Sequence, residues 1–295
     1  MVVLDGRKIF NKIKNELSVE VEKMKSDGNR APHLVAMLIG EDPASQTYVN
    51  AKVKACSEIG FQSTVLNYAD DISQDDLLSK IEDLNMSPEV DGLIVQLPLP
   101  KHIDDNKVIH AISYKKDVDG FHPINIGRMV LSLPCYLPAT PFGVLSLLEE
   151  YKIQTAGKRC LVIGRSHIVG TPMSILMSRN QSIANCTVTL AHSKTKNLRD
   201  LTLESDIIIV AIGVPHFLTS NMVKEGAVII DVGIHRVPSV DTKRGYKLVG
   251  DVDFDNVKHK AAYITPVPGG VGPMTISSLL RNTLFSAKKV IYSHT

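Results

Sequence analysis

The stretch Arg159-Cys160-Leu161-Val162-Ile163-Gly164-Arg165-Ser166-His167-Ile168-Val169-Gly170-Thr171-Pro172 decides the fold. Cys160–Ile163 is an apolar run that enters Gly164-Arg165-Ser166, and a helical pattern runs from Val169 to about Met177. Such a strand, glycine turn and helix start presents backbone N–H groups to a phosphate, and glycine lets a pyrophosphate come close. The motif is not a strict Gly-x-Gly-x-x-Gly, because Ser166 stands where the second glycine would be. Alone it fits a plain strand-to-helix turn as well. Further strands predicted at Thr187–Ala191, Ile207–Ala211 and Ala227–Val232 turn the balance towards a dinucleotide site on a parallel sheet.

The N-terminal half alternates in the same way. A helix is predicted after Asp5, with Ile9, Ile13 and Leu17 along one face. Strands are expected at His33–Ile39, Phe61–Leu66 and Val90–Leu97, with helices over Ser45–Ile59 and Ser73–Leu84. Gly40-Glu41-Asp42-Pro43 breaks the first of these strands, and Pro98 and Pro100 stop the last. Lys115–Pro141 has prolines and little periodicity and reads as a long structured loop. A helix then runs from Pro141 to about Tyr151, with Thr140 placed to cap it. The last helix is expected over Met274–Ala287. The fold class is α/β in two domains. An N-terminal α/β domain covers 1–140, with a C-terminal helix at 274–295 returning to it. A Rossmann-like parallel-sheet nucleotide domain covers 141–273.

Composition narrows the function. The chain has 295 residues, 44% hydrophobic and 22% charged, which suits a globular protein with a sizeable core. Lys and Arg total 33 against 31 Asp and Glu, a net charge of +2. That balance gives no electrostatic reason to expect nucleic acid or an anionic membrane as partner. With aromatics at 5% and no Trp, stacking platforms for single strands are poorly supplied. Cys56, Cys135, Cys160 and Cys186 are scattered, so neither a metal cluster nor a disulfide framework is expected, and a cytoplasmic location is.

The predicted strand Thr187–Ala191 ends in His192-Ser193-Lys194-Thr195, with no carboxylate for the ribose hydroxyls that NAD presents. Arg165 directly follows the first glycine, and Ser193 can donate to a phosphate, so NADP is the expected cofactor. Lys194 reads as an ordinary solvated lysine.

Tyr48 and Lys52 lie four apart and share one helical face. By spacing alone they read as surface residues. Gln96 stands at the C-terminal end of a parallel strand, where substrate groups sit in open α/β sheets. Asp117 and Asp119 fall in a loop before Gly120, and an Asx-type turn also accounts for Asp117. Thr265–Thr275 is a glycine- and proline-rich loop before a helix, suited to close approach by a flat ligand.

Together, Tyr48–Lys52, Val95–Pro100, Lys116–Pro123, Gly164–Pro172, Asp231–Ile234, Gly250–Val252 and Ile264–Thr275 make the chain resemble the bifunctional methylenetetrahydrofolate dehydrogenase/methenyltetrahydrofolate cyclohydrolase family. The segments are collinear over nearly the whole chain. The resemblance implies a folate-binding catalytic domain at 1–140, a folate cleft between the two domains, and a homodimer. It implies Lys52 as the central catalytic residue, with Tyr48 beside it to position and stack on the substrate. Gln96 would contact Lys52 and help set its protonation state, and Asp119 would hold the pterin ring. Leu97, Pro98, Pro268, Gly269 and Gly270 would border the folate, and Gly164, Arg165, Ser166, Ser193 and Ile234 match the NADP-contacting positions. No metal is implied. Without the resemblance, a two-domain NADP-dependent dehydrogenase of another small substrate stays open, as does a non-catalytic NADP sensor. The sensor would have no reason to keep Tyr48, Lys52, Gln96 and Asp119 together.

Overall fold

The structure is a computed structural model that describes residues 1–292 apart from 241, 243 and 244. In chain order the elements are β1 (Val2–Val3), α1 (Gly6–Ser26), β2 (His33–Ile39), α2 (Pro43–Glu58), β3 (Gln62–Tyr68), α3 (Gln74–Met86), β4 (Gly92–Val95) and α4 (Asp105–Ala111). There follow α5 (Pro123–Val130), α6 (Ala139–Glu150), β5 (Arg159–Ile163), α7 (Gly170–Ser178), β6 (Thr187–Ala191), α8 (Leu198–Glu204), β7 (Ile207–Val210) and β8 (Val228–Asp231). The chain ends with β9 (His235–Pro238), β10 (Tyr246–Val249), α9 (Phe254–Val257), β11 (Tyr263–Ile264) and α10 (Val271–Ala287). Among the described residues, no helix is long and apolar enough to cross a membrane.

The chain divides into two compact units. One joins Met1–Phe10 to Thr140–Thr275, and the other joins Asn11–Ala139 to the residues from Ile276 on. The first unit holds a parallel sheet in the order β1-β11-β8-β7-β5-β6. β7 and β8 are buried at every position, as strands covered on both faces must be. The path runs from β5 out to β6, then back across β5 to β7, so the strand order reverses at β5. Ligands of open α/β sheets sit outside the carboxyl ends of the strands at such a reversal. Met1–Phe10 belongs to this unit, and not to the N-terminal domain expected to begin at residue 1. The cause is backbone pairing, with Val2 and Val3 in parallel register with Tyr263 and Ile264.

The second unit holds the parallel sheet β3-β2-β4. β2 lies in its centre and is buried at all positions. Asp42 starts α2 by accepting from Ser45 N at 2.7 Å, with Pro43 at the first helical position. Helix α10 is fastened here by its polar residues. Asn282 Nδ2 donates to the carbonyls of Val118 (2.8 Å) and Leu137 (3.0 Å), and Ser286 Oγ donates to that of Asp91 (2.7 Å).

Three sequence expectations need correction. The expected loop at Lys115–Pro141 contains helix α5, started by Pro123 and by His122 Nδ1, which accepts from Ile124 N at 3.1 Å. Only Asn125 and Met129 are buried along it, so it offers no longer repeat to read. Thr140 does not cap α6. It lies inside the helix, and its hydroxyl shares a hydrogen bond with that of Thr275 at 3.0 Å. The short elements β1, α4, α8, β9, β10, α9 and β11 were absent from the sequence reading.

The loop after β4 is held by one buried carboxylate. Asp117 accepts from Phe121 N (3.2 Å), His122 N (2.8 Å) and Asn125 Nδ2 (2.9 Å). Asn125 Oδ1 in turn accepts from Tyr292 Oη at 2.6 Å. Burial pushes the Asp117 carboxyl up to about 6, against the pull of these donors. The folded chain therefore keeps a proton that the unfolded chain releases near an ordinary Asp value, so this group's contribution to stability falls as pH rises from about 4 to about 6. Thermal unfolding at pH 4.5 and pH 7.5 checks this. Asp117→Asn should remove on the order of 1–3 kcal/mol of that pH dependence, and an unchanged dependence would contradict it.

Candidate active site

Helix α2 buries Ser45, Val49, Lys52, Ala55 and Cys56 along one stripe. A lysine in that stripe is unusual, since a charged group seldom leaves water without a partner. Lys52 is only 6% exposed. Its Nζ donates to Gln96 Oε1 at 3.2 Å and lies 5.8 Å from the centre of the Tyr48 ring. Spacing alone had put Tyr48 and Lys52 on the surface. The structure buries Lys52 and half-buries Tyr48, because this face of α2 turns inward.

Gln96 is aimed by the sheet. Its N–H bonds to Met37 O at 2.9 Å just past the end of β4, and its Nε2 donates to Leu97 O at 2.7 Å. The side-chain oxygen is thereby left for Lys52. Leu97 and Pro98, joined by a cis peptide, follow directly. Asp119 sits two residues beyond the anchored Asp117. Burial raises its carboxyl above the usual range, and the nearby charge of Lys52 opposes that rise. Burial likewise raises the Tyr48 phenol, with the Asp119 charge adding to it. Cys56, on the same stripe as Lys52, is pushed up to about 12 by burial despite the Lys52 charge. It stays a thiol and offers no nucleophile. The Tyr48–Lys52 pair, Gln96 and Asp119, drawn from three separate stretches of sequence, thus belong to one unit. The Asp117–Asn125 support beneath Asp119 was not foreseen as a network; its one sequence signal was the carboxylate two residues ahead of Asp119.

In the other unit the nucleotide loop leaves β5 at the strand-order reversal. Gly164 has φ +115°, and a Cβ there would overlap the carbonyl oxygen of Ala211 beyond β7. A Cβ at Gly170 would overlap the Gly164 carbonyl. Arg165, Ser166, His167 and Ile168 are exposed between the two glycines. Ser166 Oγ accepts from Val169 N at 3.1 Å and Gly170 N at 3.4 Å, so the serine in the second glycine's place closes the turn that leads into α7. Gly164 N also bonds Ala191 O at 2.9 Å, which sets this loop beside the exposed Ser193 and Lys194 after β6. No carboxylate stands at that strand end. The site fits a nucleotide with a phosphate on its ribose, because it offers a guanidinium and hydroxyls there. Ile234 is half-exposed past β8. Pro268, Gly269 and Gly270 follow β11, with Pro268 exposed and both glycines buried. These residues all belong to the strand-end loops of this sheet.

Comparison with known proteins finds relatives over nearly the whole chain. Residues 4–119 match the tetrahydrofolate dehydrogenase/cyclohydrolase catalytic domain. Residues 138–291 match the tetrahydrofolate dehydrogenase/cyclohydrolase NAD(P)-binding domain. The bifunctional protein FolD of Cytophaga hutchinsonii is 59% identical over 97% of this chain and 99% of its own. Among solved structures, the bifunctional FolD methylenetetrahydrofolate dehydrogenase/cyclohydrolase of Campylobacter jejuni is 47% identical, with a TM-score of 0.92 over 98% of this chain and 99% of that one. The Trypanosoma brucei N5,N10-methylenetetrahydrofolate dehydrogenase-cyclohydrolase, solved with NADP cofactor and an inhibitor, is 37% identical, with a TM-score of 0.93 over 99% of each chain. Two domain matches spanning most of the chain, and a relative 59% identical over 97% of it, show that this chain belongs to the tetrahydrofolate dehydrogenase/cyclohydrolase family.

Proposed function

We propose that the chain oxidises 5,10-methylenetetrahydrofolate to 5,10-methenyltetrahydrofolate with NADP and hydrolyses that product to 10-formyltetrahydrofolate. The buried Lys52 Nζ, held by the neutral Gln96, carries this reading. When bound, NADP accepts a hydride from the one-carbon bridge. That step leaves a cation and needs orientation more than proton transfer, so the protein's task is to hold the pterin and the bridge in place. Asp119 is the acceptor suited to the pterin edge, and the Tyr48 ring is the face suited to stacking on it. In the second step water adds to the cationic bridge carbon, a carbon–nitrogen bond opens and a proton is released. Lys52 is the group in the cluster able to exchange that proton, and Gln96 accepts from it without adding negative charge.

Lys52→Met should abolish methenyltetrahydrofolate hydrolysis, by about a hundredfold or more, while folate still binds. The check is the decay of added methenyltetrahydrofolate beside nicotinamide reduction from methylenetetrahydrofolate. Full hydrolysis by the variant would remove Lys52 from its role, and wild-type silence in both assays would end the reading.

Arg165, Ser166 and Ser193 are the proposed 2′-phosphate contacts, in line with the NADP held by the Trypanosoma relative. Arg165→Ala should raise the Kd for NADP by about tenfold and leave that for NAD nearly unchanged, read by equilibrium titration. Equal losses for both nucleotides would speak against a 2′-phosphate contact.

The folate would lie against Leu97 and Pro98, which follow Gln96 directly. The sheet of the second unit supports a homodimer. The Leu93–Asp117 bridge covers one edge at β4, whereas the seven-residue β3 has an open outer edge among the described residues. Val65→Asp on β3 should shift the sedimentation profile from dimer to monomer, and a wild type that sediments as a monomer would refute the pairing. The cytoplasm suits the four cysteines, all buried thiols outside any disulfide.

A further inference from the structure

The carboxyl ends of β8 and β10 carry two buried carboxylates that the reaction does not use. Asp251 is 0% exposed and Asp231 is 3% exposed. Asp231 lies at the end of β8, and its two oxygens accept from Gly233 N (3.0 Å), Asp251 N (2.9 Å) and Val252 N (2.9 Å). Asp251 Oδ2 accepts from Ile212 N (2.8 Å) and Gly213 N (3.1 Å). Its Oδ1 accepts from His235 Nε2 at 2.7 Å. The packing leaves no slack. A Cβ at Gly233 would overlap the Asp251 carboxylate, and one at Gly250 would overlap that of Asp231.

These bonds end on two strand-end segments of the sheet whose β5 end carries the nucleotide loop. Ile212 and Gly213 follow Ala211, whose carbonyl oxygen stands over Gly164. Gly233 and His235 flank the half-exposed Ile234 on either side, so both chain neighbours of that residue are pinned by the carboxylate pair. We infer that Asp251 is a positioning residue for NADP, fixing the Ile212–Gly213 wall with one oxygen and the Ile234–His235 wall with the other. This rests on the NADP reading above. Asp251 does not touch the nucleotide. It sets the gap between two loops that would, since backbone N–H groups in a buried turn keep one geometry only while their acceptor is present.

A fold-wide role would lower both activities together, whereas a positioning role separates them, because hydrolysis of methenyltetrahydrofolate uses no nicotinamide. Asp251→Ala should raise the Kd and KM for NADP by about tenfold, with hydrolysis measured without NADP staying within about twofold of wild type. Asp251→Asn gives the two N–H groups an acceptor again and should recover NADP affinity to within about threefold. Should Asp251→Ala not fold, His235→Ala, which removes only the second contact, should weaken NADP by about threefold, and His235→Gln, which keeps a donor, should restore it. Unchanged NADP affinity in the folded variants overturns the inference, as does a parallel fall in both activities. Wild-type protein that binds NADP but oxidises no methylenetetrahydrofolate would overturn the proposed activity alone, because the titrations still read the positioning role.

Discussion

Parallel pairing between β5, β6 and β7 is the constraint on which the nucleotide unit depends. Ile163 sits opposite both Ala191 and Val210, so three strand ends finish together and their loops leave from one edge. The crowding this creates explains the residues found there. Gly164 has no room for a side chain beneath the Ala211 carbonyl, and Gly170 has none beside Gly164. Exposed polar residues then occupy the only stretch of the loop that leaves the sheet. With Ser166 in place of the second glycine, its hydroxyl closes the turn that leads into α7.

The second unit solves a different problem, which is to keep a lysine out of water. Lys52 faces inward because α2 has to bury Val49 and Cys56 on the same stripe. One neutral amide oxygen receives its Nζ. The carboxylate that could neutralise it, Asp119, sits on a loop whose shape is set by Asp117, Asn125 and Tyr292. Asp117 is satisfied by three donors within the chain. The two acids stand two residues apart, and Asp117 is the more deeply buried.

Buried carboxylates serve both units as clasps for backbone. Asp117 gathers the turn at Phe121–His122, Asp231 gathers Gly233 with Val252, and Asp251 gathers Ile212 with Gly213. Burial pushes the Asp231 carboxyl up to about 7 even though three backbone N–H groups pull it down. A clasp of this kind holds irregular chain at the edge of a sheet, where no ladder is available to do so.

The long apolar runs were legible in the chain itself. β2, β5 and β7 lie within a residue or so of where their hydrophobic stretches predict them, since burial on both faces demands such runs. Gly164 and the missing carboxylate after β6 also spoke for a nucleotide with a 2′-phosphate without any coordinates. The two-residue strands β1 and β11 could not be read, because their pairing partners are distant in sequence, and the hairpin β9–β10 and the short helix α5 have too few residues to carry a repeat. Lys52 makes the same point for the site. Its spacing from Tyr48 was visible, but whether that face met water or Gln96 depended on how β4 and α2 pack. Sequence alone determined the α/β pattern and the residue types available for chemistry. Only the tertiary structure decided which of them are buried and paired, because burial and hydrogen bonding depend on neighbours brought from elsewhere in the chain.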